Sequence, residues 1–251
     1  MVEITAEDKI AFKQACDKII EQERLRVGIG TLSEKTVHAV LKHYLVPKEE
    51  YHEIRCLGYV ADILYEGEII EIQTANFNTL RRKLDAFLEE FDVTIVYPIP
   101  AIKWLQWLDV ETGEITNKRK SPKKGNFYHS FRELYKIKQY LTNPRLHLRL
   151  LLIDLEETRL LTGWSADKKK GSTRFDRIPT DIREELMIAT IEDYKQLIPT
   201  TLPKEFTSKE FKKESHITMA EAQTALNILT YTGSVKRVGK IGNTILYQIA
   251  K

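Results

Sequence analysis

The chain has 251 residues, of which 42% are hydrophobic and 30% charged, and its formal net charge is +3. That length allows one large domain or two modest ones, and the composition is that of an ordinary globular protein. No apolar run approaches the roughly 20 residues that a membrane helix needs, so no membrane partner is expected. Cys16 and Cys56 are isolated in the sequence and predict free thiols in a reducing, cytoplasmic setting.

Residues 31–42 have the periodicity of an amphipathic helix. Val37 and Leu41 belong to its apolar stripe, while Glu34 and His38 lie four residues apart on another face. For His38 we expect a local hydrogen-bonding role.

The stretch 58–74 predicts a β-hairpin with the pair Glu66-Gly67 as its two-residue turn. This turn places Asp62 opposite Glu71, and Gln73 follows on the same face. Opposed residues have Cβ atoms about 4.5–5.5 Å apart, so the two acids should lie side by side. The alternate residues are expected to face a core: Ala61, Ile63, Ile70 and Ile72. Two adjacent carboxylates repel each other unless a cation lies between them, so the pair indicates a divalent metal.

The segments on either side of the hairpin complete an α/β pattern. Residues 52–57 can supply a further strand before it, residues 77–90 have helical spacing, and residues 93–97 form a short β-branched run typical of a buried strand. The predicted order is therefore helix, hairpin, helix and strand, with residues 52–57 as the candidate for a third strand before the hairpin.

An acid near the end of one strand, followed on the next strand by Glu71-Ile72-Gln73, resembles the motif of the PD-(D/E)XK nuclease superfamily. Here Asp62 is the first acid, Ala61 stands where the motif has proline, and Gln73 stands where it has lysine. The resemblance implies a restriction-endonuclease-like fold, with a central mixed sheet flanked by helices, over a nuclease domain of residues 1–165.

The same resemblance implies a metal-dependent DNA endonuclease that uses Mg²⁺ or Mn²⁺. The metal would be held by Asp62, Glu71 and the carbonyl of Ile72, Gln73 would position water, and Glu34 would assist at the metal. Because glutamine carries no charge and cannot act as a base, the metal or a lysine from elsewhere would have to lower the pKa of the attacking water. The sequence leaves three candidates open: Lys42, Lys83 and Lys103.

The middle of the chain predicts further strands and helices. Pro98 and Pro100 are expected to end the preceding strand. A hairpin is expected over 104–117, a helix over 130–141, a strand pair over 148–161 and a helix over 181–197. The basic stretch 166–180 is expected to be a linker or mobile loop.

Two basic clusters could either contact phosphates or simply be solvated: Lys118, Arg119, Lys120, Lys123 and Lys124, and Lys168, Lys169, Lys170, Arg174 and Arg177.

The C-terminal residues 181–251 resemble a winged helix-turn-helix domain. Capping boxes begin at Thr207 and at Thr218, and a hairpin turn at Gly242-Asn243 follows the second helix. By this resemblance the second helix presents Gln223, Thr224 and Asn227 to DNA, and the wing presents Lys236, Arg237 and Lys240. A packing or dimerisation module is the alternative for this region.

The leading hypothesis is an endonuclease whose winged helix assists DNA binding. A non-catalytic DNA-binding protein or a transcription regulator that retains the nuclease-like fold is the alternative, and RNA as the substrate stays open. Cutting both strands of a duplex calls for two active sites, so a homodimer is one arrangement that the sequence leaves open.

Overall fold

The computed structural model describes residues 3–25, 35–161 and 173–250. Within them the chain forms six α-helices and ten strands. The helices are α1 (Ala6–Leu25), α2 (Lys35–Leu45), α3 (Arg81–Glu90), α4 (Phe131–Leu134), α5 (Ser208–Ser215) and α6 (Met219–Tyr231). The strands are β1 (His52–Cys56), β2 (Tyr59–Tyr65), β3 (Glu68–Ile72), β4 (Asp92–Leu108), β5 (Arg119–Lys120), β6 (Leu146–Leu160), β7 (Thr173–Ile188), β8 (Glu205–Phe206), β9 (Val235–Ile241) and β10 (Thr244–Ile249). None of the described helices is long and apolar enough to cross a membrane.

Seven strands form one mixed sheet in the order β1-β2-β3-β4-β6-β7, with β5 paired to β4. The first three strands are an antiparallel meander, β4 is parallel to both β3 and β6, and β7 is antiparallel to β6. Helix α3 connects β3 to the parallel strand β4, as a parallel pair requires. The predicted α/β class and the order helix, hairpin, helix and strand are confirmed, and β1 supplies the third strand expected over 52–57.

Helices cover both faces of this sheet. On one face α3 inserts Leu84 and Phe87 into a cluster with Ile95 of β4. On the other face α1 and α2 bury Phe12 and Val40 in a separate cluster against the sheet. Because both faces are covered, the central strands are apolar on both sides, as is usual for parallel sheets.

The prediction that Pro98 and Pro100 end a strand is wrong, because both lie inside the 17-residue strand β4. Pairing of β4 with β3 stops at Val96, whereas pairing with β6 continues past both prolines. A proline, which lacks an N–H donor, is tolerated where a strand has no ladder on that side.

Three further predictions are corrected in the second half. The strand pair expected over 148–161 is the single strand β6. The linker expected over 166–180 is wrong for its described part, because residues 173–180 belong to β7. The helix expected over 181–197 is also wrong up to Ile188, where β7 ends, and only Ile191–Leu197 forms a 3₁₀ helix. Pairing with β6 along the whole length of β7 overrides the helical preference of that segment.

Other predicted elements are present with changed detail. The hairpin expected over 104–117 forms between the end of β4 and β5, and Leu108 pairs with Ile115. The helix expected over 130–141 is broken into short α-helical and 3₁₀ turns, with non-helical backbone at Ile137.

The C-terminal elements follow their local signals. Both predicted capping boxes are formed, at Thr207 before α5 and at Thr218 before α6. Strands β9 and β10 make the predicted hairpin, and β8 pairs with the outer side of β10. The core cluster beneath α3 continues into this region, where the rings of Phe131 and Phe211 are 6.5 Å apart.

Candidate active site

The β2–β3 hairpin forms in the predicted register, with Tyr65 opposite Glu68. Its turn residues Glu66 and Gly67 have φ values of 50° and 82°, the positive values that a type I′ turn requires. The four residues expected to face a core do so: Ile63 and Ile72 are buried in the cluster beneath α1 and α2, and half-buried Ile70 packs against it. Ala61 is also buried but belongs to the cluster beneath α3.

Asp62 and Glu71 lie next to each other where the ladder between β2 and β3 stops. The backbone N–H of Ile72 donates to Asp62 Oδ2 at 2.8 Å, and the N–H of Asp62 lies 3.4 Å from Glu71 Oε1. Each carboxylate thus accepts a hydrogen bond from the opposite strand in place of a backbone carbonyl. The predicted juxtaposition of the two acids is present in the structure.

Lys83 of α3 extends to the same place. Its Nζ atom lies 3.0 Å from Oε1 and 2.8 Å from Oε2 of Glu71, whose side chain is only 2% exposed. The other two candidate lysines are engaged elsewhere: Lys42 binds Glu53 at 2.7 Å, and Lys103 lies 4.0 Å from Glu157. Of the three lysines that the sequence left open, Lys83 is thus the one that contacts either acid within the described structure.

His38 of α2 contacts the second acid. Its Nε2 atom lies 3.0 Å from Asp62 Oδ2, the same oxygen that accepts from the Ile72 N–H. The sequence interpretation gave His38 only a local role and so missed this contact. The four-residue spacing of His38 and Lys42 places both on one face of α2, but it does not specify that this face meets the hairpin.

The two acids have opposite pKa shifts. Burial and the neighbouring charge of Asp62 raise the pKa of Glu71 to about 7, against the lowering effect of Lys83. Burial would also raise the pKa of Asp62, but the hydrogen bond and charge of His38, together with the Ile72 N–H, hold it below its ordinary value. As the pH falls towards 7, therefore, Glu71 is the acid of this pair that takes up a proton first.

The Gln73 side chain is not brought to the two carboxylates. The Gln73 amide Nε2 donates to the carbonyl of Ala75 and approaches Thr79 Oγ1 at 3.4 Å. Gln73 thus fixes the loop after β3 and borders the cavity without contacting Asp62 or Glu71 through its side chain. Glu34 lies outside the described residues.

These groups border a cavity of about 950 Å³ between α2, the hairpin and α3. No three His, Cys, Asp or Glu side chains of the described residues converge as a ready-made metal cage. Magnesium, however, is commonly held by one or two carboxylates, with water and substrate oxygens as its other ligands. Asp62 and Glu71 meet that requirement, and a dication beside them would offset the burial of Glu71 and the charge of Asp62, which together raise the pKa of Glu71.

A second, shallower groove of about 570 Å³ lies between α6, β9 and the 3₁₀ helix Tyr135–Tyr140. It brings together three of the predicted DNA-binding residues, Asn227, Lys236 and Arg237, with Lys138. Lys138 Nζ donates to Asn227 Oδ1 at 2.8 Å, so the Asn227 amide already has a protein partner.

The remaining predicted DNA-binding residues lie outside that groove. Gln223 and Lys240 are exposed, while the Thr224 hydroxyl donates to the carbonyl of Ala220 at 2.9 Å. The structure therefore groups part of α6 with the start of β9 and separates it from the other predicted DNA-binding residues.

Comparison with known proteins gives two matches. An "Uncharacterized protein" of Treponema pallidum (strain Nichols) is 27% identical over 227 residues, which is 88% of this chain and 87% of that protein. No solved structure matches the chain. A family described as "Domain of unknown function (DUF8091)" matches residues 35–189, from the start of α2 to the end of β7, and so contains His38, Asp62, Glu71 and Lys83. The chain belongs to the DUF8091 family.

Proposed function

We propose that the chain is a metal-dependent nuclease that hydrolyses phosphodiester bonds in DNA. One observation carries this proposal: the Lys83 ammonium is bound to the buried Glu71 carboxylate, directly beside Asp62. Two acids and a lysine are the chemical groups of the motif that the sequence resembles, and here the lysine comes from a helix instead of the strand.

The replacement is chemically reasonable because Lys83 supplies what Gln73 lacks. An ammonium group donates up to three hydrogen bonds and carries a positive charge, whereas an amide can only orient water. From α3 the Lys83 ammonium reaches the same carboxylate that a lysine two residues after Glu71 would adjoin. It is therefore able to donate to an attacking water or to a phosphate oxygen bound beside Glu71.

Asp62, Glu71 and the Ile72 carbonyl would hold the metal. When bound, Mg²⁺ supplies an acidified water molecule and neutralises charge on the phosphate. The protein's own groups prepare this site: His38 and the Ile72 N–H bind one oxygen of Asp62 and hold the carboxylate in one orientation. Glu71 must lose its proton before it can act as a ligand, which makes metal affinity dependent on pH.

The surroundings also support the proposal. The order α2-β1-β2-β3-α3-β4 is the order expected for the nuclease superfamily, and the two acids lie on the hairpin where its motif has them. In the C-terminal region, the groove bordered by Lys138, Lys236 and Arg237 carries positive charge that suits contact with DNA. We propose that this region, with its helix-turn-helix and hairpin order, acts as a winged helix that assists DNA binding.

The test is plasmid nicking in Mg²⁺ or Mn²⁺ by wild-type protein, Lys83→Met and Lys42→Met. The two variants each remove one lysine from the same cavity, but only Lys83 contacts Glu71. Loss of a positioned proton-transfer or charge-stabilising group costs roughly 100-fold or more, so Lys83→Met should lose nicking while Lys42→Met retains it. Equal nicking by folded Lys83→Met and wild-type protein would contradict the proposal.

The ion pair itself favours a second candidate function, a DNA-binding protein without catalysis. Lys83 already neutralises Glu71, so the pair could be a purely structural feature that replaces a metal. Calorimetric titration of Mg²⁺ into wild-type protein and Asp62→Asn separates the two. DNA binding with no Mg²⁺ binding in the folded wild type would favour the non-catalytic function.

A further inference from the structure

A cluster of four cations surrounds one buried carboxylate on the adjoining strands β4, β6 and β7. The side chain of Glu157 is fully buried, and Lys103, Arg159, Arg174 and Arg177 all lie within 4.0 Å of it. Four cations and one carboxylate give this group a net charge of +3. We call these four residues the basic surface.

The Glu157 carboxylate does not form close hydrogen bonds with every cation of this basic surface. Arg159 binds Glu157 Oε1 closely, at 2.6 and 2.7 Å. Lys103 and Arg174 approach Oε2 only to 4.0 and 3.9 Å, which is beyond hydrogen-bonding distance. Oε2 itself has no hydrogen-bond partner among the described residues. Lys103 and Arg174 are therefore held near Glu157 by charge, with their donors directed only loosely at it.

Strand pairing extends this surface along one face of the sheet. Glu157 lies opposite Arg177, Arg159 lies opposite Trp107, and directly opposed residues share a face. The guanidinium of Arg119 stacks over the Trp107 ring at 4.6 Å. A fifth cation and an aromatic ring thus adjoin the four.

The basic surface is next to the candidate active site. Arg177 borders a small cavity of about 190 Å³. Thr74, in the loop after β3, borders both that cavity and the large one that is lined by Asp62 and Glu71. A polyanion lying on the basic surface could therefore extend past Thr74 towards the two acids.

We propose that the basic surface binds the phosphodiester backbone of nucleic acid and leads it to the candidate active site. Arginine and lysine donors that exceed the available carboxylate are the groups that contact phosphates without regard to base sequence. The pKa of Lys103 is consistent with this excess of positive charge. Burial and repulsion by the three arginines lower it, although the nearby Glu157 raises it. This inference rests on the proposed nuclease function, which gives the reason for the polyanion to be nucleic acid.

The test measures binding of a short fluorescein-labelled DNA duplex by anisotropy in EDTA, so that no cleavage occurs, over a series of salt concentrations. The variant is Lys103→Gln/Arg174→Gln, which removes two cations that do not hydrogen-bond Glu157. The single variant Arg174→Gln changes the most exposed of the four side chains, so it still tests the proposal if the double variant does not fold. Lys13→Ala, at an exposed lysine of α1, removes one charge elsewhere and so matches the single variant Arg174→Gln in net charge.

Each duplex phosphate contact adds roughly 0.9 to the slope of log Kd against log salt, so the double variant should lower that slope by about 1.8. The single variant should lower it by about half as much, and Lys13→Ala should leave it unchanged. An unchanged slope in the folded double variant, or no binding by the wild type, would overturn the proposal. Equal competition by polyglutamate would overturn it too, in favour of an acidic polypeptide ligand.

Nicking assayed on the same samples in Mg²⁺ separates this inference from the proposed nuclease. A lowered salt slope without nicking by the wild type would support the basic surface and overturn catalysis. Nicking by the wild type with an unchanged slope in the double variant would leave the nuclease standing and overturn the basic surface.

Discussion

Replacing Glu71 with glutamine tests the main electrostatic feature of the site, the carboxyl group whose pKa burial and Asp62 raise to about 7. Glutamine has nearly the shape of a protonated glutamic acid but does not titrate. The free energy of unfolding of Glu71→Gln, relative to wild type, should therefore change with pH in the range where Glu71 gains its charge.

The size and sign of this change follow from proton linkage. Between pH 4.5, the ordinary pKa of a glutamate, and about 7, the folded protein keeps a proton on Glu71 that the unfolded chain has lost. The stability that this group contributes is fully present below pH 4.5 and is lost as the pH rises through 7. A shift from 4.5 to about 7 at about 1.36 kcal/mol per unit amounts to about 3 kcal/mol. Because the Glu71 side chain is only 2% exposed, solvent screens little of it.

Urea unfolding followed by tryptophan fluorescence, in metal-free buffers from pH 4.5 to 8, measures this difference. Relative to wild type, Glu71→Gln should gain about 3 kcal/mol between pH 4.5 and 7 and stay level above that. The ion pair of Lys83 with ionised Glu71 lowers the pKa of Glu71 and is therefore already included in this pH-dependent difference.

Glu90→Gln, at an exposed glutamate of α3, controls for the loss of one carboxylate from the net charge. A constant difference between wild type and Glu71→Gln across this pH range would refute the reasoning, because it would mean that Glu71 is not held protonated by the fold.

Three further outcomes are expected. Mg²⁺ affinity, measured by calorimetry, should rise by up to about tenfold per pH unit as the pH approaches 7 and level off above it, because Glu71 must release its proton; a flat profile would speak against Glu71 as a ligand. His38→Gln weakens the support of the other acid and should lower Mg²⁺ affinity roughly 10-fold or more, and an unchanged affinity would show that the contact is incidental. Gly125→Ala should lower the free energy of unfolding in urea by about 1–3 kcal/mol, because its Cβ would lie 2.1 Å from the carbonyl oxygen of Pro100. The control Gly239→Ala places its Cβ where nothing lies within 4 Å and should cost much less, and equal costs would contradict this packing.

The features that the sequence predicted well depend on residues close together in the chain. Glu66-Gly67 specifies a two-residue turn, and the turn alone fixes which residues of β2 and β3 are opposed. The capping boxes at Thr207 and Thr218 likewise involve side chains only three residues apart. For this reason the position of Asp62 beside Glu71 was predictable from the residues of the hairpin alone.

The long strands were not predictable in the same way. Pro98 and Pro100 are poor strand residues, and they are accommodated in β4 only because β3 has already ended beside them. Residues 181–188 have a helical composition but pair with β6. In both cases the neighbouring strand, which lies far away in the chain, decides the outcome.

By itself, then, the sequence determined the α/β class, the hairpin register and the pair of acids, because these depend on turn chemistry and on the period of side chains along one strand. Only the tertiary structure decided which basic groups meet the acids. Lys83 reaches Glu71 from a helix on one side of the hairpin, and His38 reaches Asp62 from a helix on the other. Those contacts depend on how α2 and α3 pack against the sheet, and no periodicity within either helix specifies that packing.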